Sequence, residues 1–440
     1  MQPRILFLGA AAMIGPWLPI QAAEPGAPYP LASNTVIAAQ SAPMQEAFPL
    51  TLDKAIELAL GANPDLRAAA QSIAIADGAR QQAGLWRNPE LAVTREGTQR
   101  ANRTQTIQIS QPLELGGKRA ARIAVADLDR SLAIGDVQVK TAELRSDVAA
   151  AYFEALAAQE RAELARNSLD LAQKASAAAK RRVTAGKISP VEETRSNVAA
   201  ASARLELVQA DANLMTARRQ LAAMWGSTAP VTQRLSVPES DLHALPSLDQ
   251  LLAQLGTSPQ LQRAQGAIKR DEAQVQYEKT QRIPDVSVVF GNKKDYEQGR
   301  SQTVIGLSVP LPLFNRNQGN LLSALRRVDQ AKAQLEADRL RLNLAVSDAY
   351  QRTQVSQAQV ETMRQEILPA AQSALDAAVT GFELGKFNFL DVLDAQRTVV
   401  QTRAQYLSAL SDRYRAMADI QRYVTLPDVI QAPHTDRNTK

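Results

Sequence analysis

Ile109-Ser110-Gln111-Pro112-Leu113 recurs 198 residues later as Leu307-Ser308-Val309-Pro310-Leu311, and this recurrence decides the fold. Alternating apolar residues that run into a proline read as the end of a β-strand. Upstream, Asn88-Pro89-Glu90-Leu91 is answered by Ile283-Pro284-Asp285-Val286, and Asn63-Pro64-Asp65-Leu66 by Ser258-Pro259-Gln260-Leu261, both at an offset of 195. Downstream, Ala185-Gly186-Lys187 is answered by Leu384-Gly385-Lys386 at 199. Four landmarks in one order at a nearly constant offset make the chain two copies of one unit.

The first unit spans 50–225 and reads as a helix from about Thr51 to Arg87, a β-hairpin over 90–111, a long helix over 119–185, a tight turn and a helix over 190–225. A linker (226–246) leads to the second unit, 247–426, with a helix, a hairpin over 285–309, a long helix over 318–384, a turn and a helix over 388–424. Residues 427–440 form a C-terminal tail. The 119–185 segment holds no Pro and one Gly, Gly135; its counterpart is interrupted once, by Pro369.

A helix of that length extends roughly 100 Å, which no globular core can cover. Such helices must pack on one another. Leu144, Val148, Ala151, Ala155, Ala158, Ala162, Ala165, Leu169, Ala172, Ser176, Ala179 and Val183 alternate by four and three, a heptad seam of small knobs that lets backbones approach closely. Val198, Ala201, Leu205, Val208, Ala212 and Met215 continue that spacing after the turn. Two half-length helices stacked end to end match one long helix, so each unit reads as a rod with a hairpin at one end and a helical turn at the other.

The candidate strands have the length that crosses an outer membrane with tilt. Only helices and closed barrels satisfy their backbone in lipid, and four strands cannot close. The chain must then oligomerise: two copies give eight strands and a filled interior, three give twelve and an aqueous pore. The competing reading is a pair of soluble hairpins capping a coiled coil.

Composition excludes much else. Among 440 residues there is no Cys, which removes disulfides, zinc knuckles and thiol chemistry, and only two His, His243 and His434. No metal site and no cofactor are expected, and an enzyme is disfavoured. Aromatic residues are 4%, whereas Ala numbers 76, which favours long helices. Arg4, the apolar run Ile5–Ile20 and the small residues Ala22-Ala23 read as a secretory signal over residues 1–23; Pro16 and Pro19 argue against the competing membrane anchor. No Cys follows to accept an N-terminal lipid, and residues 24–49 read as an extended arm. The net charge of +5 comes from Lys and Arg interleaved with Asp and Glu, a solvated helix surface and not a nucleic-acid groove. Gly116-Gly117-Lys118-Arg119 lacks the upstream Gly and following Ser or Thr of a phosphate loop.

The duplicated plan, with Gly186 and Gly385 at its helical turns, resembles the TolC-type outer membrane efflux channels over nearly the whole chain. Residues 111–119 (Gln111-Pro112-Leu113-Glu114-Leu115-Gly116-Gly117-Lys118-Arg119) and 310–319 are similar to the cobalt–zinc–cadmium resistance subgroup, the CzcC-like channels. The resemblance implies a mainly α protein with a small β part: a homotrimer whose long helices form an α-barrel through the periplasm, capped by a twelve-stranded transmembrane β-barrel in outer membrane lipid. It implies an inner-membrane proton-driven RND pump and a periplasmic adaptor as partners. Drug efflux and protein export by the same fold, and a periplasmic structural or adaptor coiled coil, are the alternatives.

In Gly385-Lys386-Phe387-Asn388-Phe389-Leu390-Asp391-Val392-Leu393-Asp394, Asp391 and Asp394 match the acidic ring that constricts the family's tunnel. Asp391 has a competing use, because Asn388 as a cap places it at the third helical position, where a carboxylate answers free amides. Ser189, Pro190 and Glu192 repeat that arrangement in the first unit. Phe382 and Phe387 stand where the family carries an aromatic hydroxyl and a basic residue, so apolar packing of these rings, or salt links through Lys386 and Glu192, is expected to replace the family's latch. Gly186, Lys187, Gly385 and Lys386 are candidate adaptor contacts at the turns; solvated loop lysines are the alternative.

Overall fold

The structure, a computed structural model, describes residues 49–99, 102–236, 245–384, 386–387 and 389–424. The expected signal, nearly all of the arm, both His, the tail, Gly385 and Asn388 lie outside the described residues. The elements run α1 (Leu52–Ala62), α2 (Pro64–Ala83), β1 (Glu90–Glu96), β2 (Thr104–Leu113), α3 (Lys118–Thr184), α4 (Pro190–Ala223), α5 (Leu248–Gln254), α6 (Pro259–Thr280), β3 (Val286–Asp295), β4 (Arg300–Ser308), α7 (Gln318–Thr362), α8 (Leu368–Glu383) and α9 (Phe389–Gln421).

The first helix of each unit is broken where the sequence reading ran it through. Pro64 has no N–H to continue α1, and the Asn63 side chain accepts the Leu66 N–H at 2.8 Å to start α2. Ser258 does the same for α6, accepting from Leu261 N at 3.3 Å ahead of Pro259. The breaks are joints. Asn63 Nδ2 donates to Met224 O at the end of α4 (2.8 Å), and Gln260 Nε2 donates to Arg422 O beyond α9 (3.3 Å). Two short helices thus meet end on beside one long helix in both units, as the helix lengths required. The second long helix also departs from expectation. Pro369 cannot donate to the residue four before it, the ladder slips by one, and a π turn over Met363–Ile367 separates α7 from α8.

Of the twelve seam residues in α3, eight are buried and the other four half-buried. The continuation into α4 does not hold. Val198, Leu205, Val208 and Met215 are exposed, and α4 packs on α3 through Ser196, Ala203, Leu214, Ala217 and Leu221 instead. A helix packed by its small residues on α3 is left with its larger apolar stripe facing away.

The elements form one curved layer in three tiers. The sheet is antiparallel in the order β1-β2-β3-β4. Below it α3 packs between α2 and α6, with α7 beyond α6; further down α3 packs between α4 and α9, with α7 and α8 beyond α9. A core at mid-length joins the tiers. Tyr152, fully buried, donates to Leu50 O at 2.7 Å, and Phe153 stacks on Tyr414 of α9 at 3.7 Å. Each tier ends in two unpartnered edges: β1 and β4, α2 and α7, α4 and the α7–α8 pair. The exposed stripe on α4 is matched on the opposite edge by exposed Leu340, Leu344, Val355 and Ile367.

Candidate functional site

The strand register places the apolar side chains on one face of the sheet. Leu91 stands opposite Ile109, Ile109 opposite Phe290 and Phe290 opposite Ile305, a row across all four strands. The row on one side holds Val93, Ile107, Asn292 and Thr303, the row on the other Gln111, Val288 and Leu307, with Leu113 opposite Val286 at the base. Ile305 and Leu307 are each 74% exposed. The other face carries Thr94, Thr106, Lys293 and Gln302 in one row and Ala92, Gln108, Gly291 and Val304 in the next. These four rows, apolar except at Gln111, Asn292 and Thr303, span about 20 Å along the strands, close to the apolar band of an outer-membrane barrel. Water on such a face is unfavourable by roughly 25 cal/mol for each Å² left exposed. Lipid removes that penalty; the polar face suits a wet lumen.

At the base of the first hairpin the chain turns from strand to helix through Gly116 and Gly117, with φ of 70° and 76°. Glu114, its side chain 2% exposed, accepts from Arg122 Nη1 (2.7 Å) and Arg87 Nε (3.3 Å). Arg122, as the larger cause, and Arg87 hold the Glu114 carboxyl below the usual carboxylate range. Arg122 also donates to Ala83 O and Leu85 O and Arg119 to Gly84 O, which answers the free carbonyls at the end of α2.

At the far end lie the two tight turns. Gly186, φ 70°, closes α3 with its N–H donating to Val183 O, while Lys187 N donates to Arg182 O. Ser189 Oγ accepts from Val191 N, and Pro190 opens α4. In the second unit Lys386 N (2.8 Å) and Phe387 N (3.2 Å) both donate to Gly381 O. The Phe387 ring covers Gly381 so closely that a Cβ there would lie 2.1 Å from Cδ2. Only glycine fits under the ring without displacing it.

Between the turns runs a contact that the sequence reading missed. Arg182, in the last turn of α3, donates through Nη2 to Phe382 O (3.1 Å), and its guanidinium lies 4.0 Å from the Phe382 ring centroid. Phe382 therefore packs with an arginine, and Phe387 packs on a glycine. Glu192 pairs with Arg195 of its own helix (3.3 Å), and Lys386 is exposed. Glu192 Oε2 is buried without a hydrogen-bond partner. Gly186 and Lys187 are exposed at the tip of the first turn. Val183 is the repeat counterpart of Phe382, so the signal that could have exposed Arg182 was the aromatic ring standing where the first unit has an aliphatic side chain.

Asp391 and Asp394 are one turn apart and exposed on α9. Val392, Gln396 and Val399 form the helix's buried side, and Gln396 Nε2 donates to Ser168 O and Oγ of α3, both at 3.2 Å. That anchor fixes the rotation of α9 and turns both carboxylates away from α3. Among the described residues no group of His, Asp or Glu could hold a metal ion.

A sheet apolar on one side, open at both edges and borne on helices of some 100 Å defines an outer-membrane channel subunit. The chain belongs to the outer membrane efflux protein family, whose profile matches residues 55–227 and 251–424, once in each unit. It is an outer-membrane protein whose helices extend into the periplasm, in a family of efflux ducts. It is 43% identical over 383 residues to the cobalt-zinc-cadmium resistance protein CzcC of Cupriavidus metallidurans, which covers 86% of this chain and 91% of that protein. It is 30% identical to the nickel and cobalt resistance protein CnrC of the same species, over 69% of this chain and 72% of that one. The crystal structure of CusC superposes with a TM-score of 0.71 at 21% identity, covering 84% of this chain and 91% of that one. The outer membrane protein VceC of Vibrio cholerae superposes at 0.69 and 21% identity, covering 84% and 94%. These last two show the fold.

Proposed function

We propose that three copies of the chain form a passive exit duct for heavy-metal cations, the outer-membrane component of a tripartite system. The observation that carries the trimer is the match of open edges: sheet and both helical tiers end in unpartnered elements at the same two sides. Three copies supply twelve strands, enough to surround water. The resistances in the names of CzcC and CnrC support cobalt, zinc, cadmium or nickel as cargo. An inner-membrane proton-driven RND pump supplies the driving force, and a periplasmic adaptor grips the turns at Gly186, Lys187, Gly385 and Lys386. Cells lacking the gene should lose resistance to these metals with unchanged drug susceptibility; the reverse pattern favours drug efflux.

Asp391 and Asp394 are the gate. Three copies bring six carboxylates towards one axis, where clustered negative charge repels anions and concentrates cations. Phe382, Phe387, Glu192 and Lys386 surround it. In a planar bilayer the closed channel should be cation-selective and blocked by divalent cations from the periplasmic side, and Asp394→Asn should weaken both properties. Unchanged selectivity and block in a trimeric Asp394→Asn protein would show that the residue does not face the pore.

A further inference from the structure

The duplication provides an internal control for the membrane boundary. Arg87 and Arg282 correspond at the offset of 195, each in the turn that leads into a hairpin. Arg87 has its acid, Glu114. At the offset of 198 set by Pro112 and Pro310, the counterpart of Glu114 is Pro312. Arg122 is answered by Leu322, counting from Gly117 and Asn317, the positive-φ residues that start the two long helices. Arg282 is exposed, and among the described residues no carboxylate pairs with it; the guanidinium of Arg316, also exposed, donates through Nε to Pro312 O at 3.3 Å and meets no carboxylate among the described residues.

The chain beside these two guanidiniums is apolar and uncovered. Ile305, Leu307, Val309, Leu311 and Leu313 continue the lipid-facing alternation beyond the last paired residue of β4, and Phe314, 90% exposed, ends it. Pro310 and Pro312 bring no N–H to a stretch that has left the ladder, which suits backbone at membrane depth. Exposed Trp86, Leu85 and Ile283 stand at the matching strand–helix junctions, where aromatic girdles mark a membrane interface. An open groove of roughly 520 Å³ runs from Arg282 and Arg316 along Leu313, Phe314, Leu322 and Leu325.

We propose that this groove holds an anionic phospholipid of the inner leaflet, its phosphate between Arg282 and Arg316 and an acyl chain along Phe314 and Leu322. The inference rests on the outer-membrane location and is independent of the cargo. Two cations without a carboxylate, set against an apolar trough at the sheet's base, complement a headgroup that is negative at one end and greasy at the other.

Purified full-length oligomer, reconstituted with spin-labelled phosphatidylglycerol or phosphatidylcholine, reads this directly. The wild type should prefer phosphatidylglycerol by at least about fivefold, the effect of one basic residue at an anionic surface. Arg282→Gln with Arg316→Gln should bring the ratio towards one while oligomer mass and conductance persist. If that double variant fails to assemble, Arg282→Lys with Arg316→Lys replaces it, and must keep the preference. Preference retained in the Gln pair, or lost in an assembled Lys pair, overturns the proposal. So does a Phe314→Ser protein that falls to monomers with its lipid preference intact, because the groove is then covered by a second copy. An oligomer that inserts and conducts without preference refutes the lipid site and leaves the duct reading standing.

Discussion

Replacing Arg182 by Ala should open the resting channel. The side chain makes one charge-assisted hydrogen bond to Phe382 O at 3.1 Å and one cation–π contact at 4.0 Å, both half-buried. The hydrogen bond contributes about 1 kcal/mol at this exposure, and the ring contact about 0.5 kcal/mol. Their sum is close to the 1.4 kcal/mol that changes an equilibrium tenfold. Arg182 ends α3 and Phe382 ends α8, so the contact ties the turn that bears the proposed acidic gate to the other turn of the same copy. In a trimer whose three ties release together, the closed state loses about 4.5 kcal/mol, on the order of a thousandfold in the closed-to-open ratio. If copies open singly the effect is about tenfold, so the size of the change reports concertedness.

Single-channel recording of purified protein in planar bilayers is the assay. Phe382→Leu should keep the backbone acceptor and lose the ring, giving about a third of the free-energy change of Arg182→Ala. Arg182→Lys keeps the charge without the planar fork and should fall between them. A trimeric Arg182→Ala protein with wild-type resting conductance would refute the tie. Conductance raised equally by Arg182→Lys and Arg182→Ala would show that the guanidinium geometry is irrelevant.

Other consequences can be checked independently. Cysteines at Asn102 and Gln298, in the turns beyond the strands, should react with an impermeant thiol reagent on intact cells; labelling only after envelope disruption would reverse the orientation. The detergent-corrected mass should be that of a trimer, and Leu205→Glu with Val208→Glu, on the exposed α4 stripe, should yield smaller species with helicity intact. Because the Glu114 carboxyl is held below its usual range, its contribution is complete above the ordinary carboxylate pKa and is lost as pH falls through the depressed value. Glu114→Gln should therefore cost roughly 1 kcal/mol at neutral pH, and the melting difference from wild type should shrink below about pH 4; a difference independent of pH would contradict the pairing.

The order of elements was legible because it is written in local chemistry. Pro369 interrupts the second long helix, glycines at 116, 117 and 186 turn the chain, and period-two alternation marks the strands; the breaks at Pro64 and Pro259 were read through, because a proline in a helix's first turn and one in its interior look alike in sequence. Seam residues in α3 were legible for the same reason. The α4 seam was not, because Val198 and Leu205 keep helical spacing whichever partner they face, and spacing does not distinguish an intrachain neighbour from a second copy. Arg182–Phe382 and Glu114–Arg87 lay beyond reach for another reason. They join residues 200 and 27 apart, and only the packing decides which of many arginines finds which acceptor.

The two copies diverge in one direction. In the first, Glu192 is answered one turn on by Arg195 at 3.3 Å, and Arg87 is answered by Glu114. At the offset of 199 the second copy puts Asp391 and Asp394 in the places of Glu192 and Arg195, turning an ion pair into two like charges. At the other end Pro312 replaces the acid that Arg282 would need. The second copy thus carries two acids where the first carries an acid and a base, and it leaves Arg282 without the acid that Arg87 has. A fold stabilised by two equal halves needs neither change, since neutralised pairs serve the helices and turns as well or better. Each excess stands where an oppositely charged ligand would pass or rest: metal cations at Asp391 and Asp394, lipid phosphate at Arg282 and Arg316. On this reasoning, restoring the first copy's residue should stabilise the protein and impair it together. Asp394→Arg is the sharp case, restoring the first copy's acid–base spacing while removing half of the proposed acidic ring.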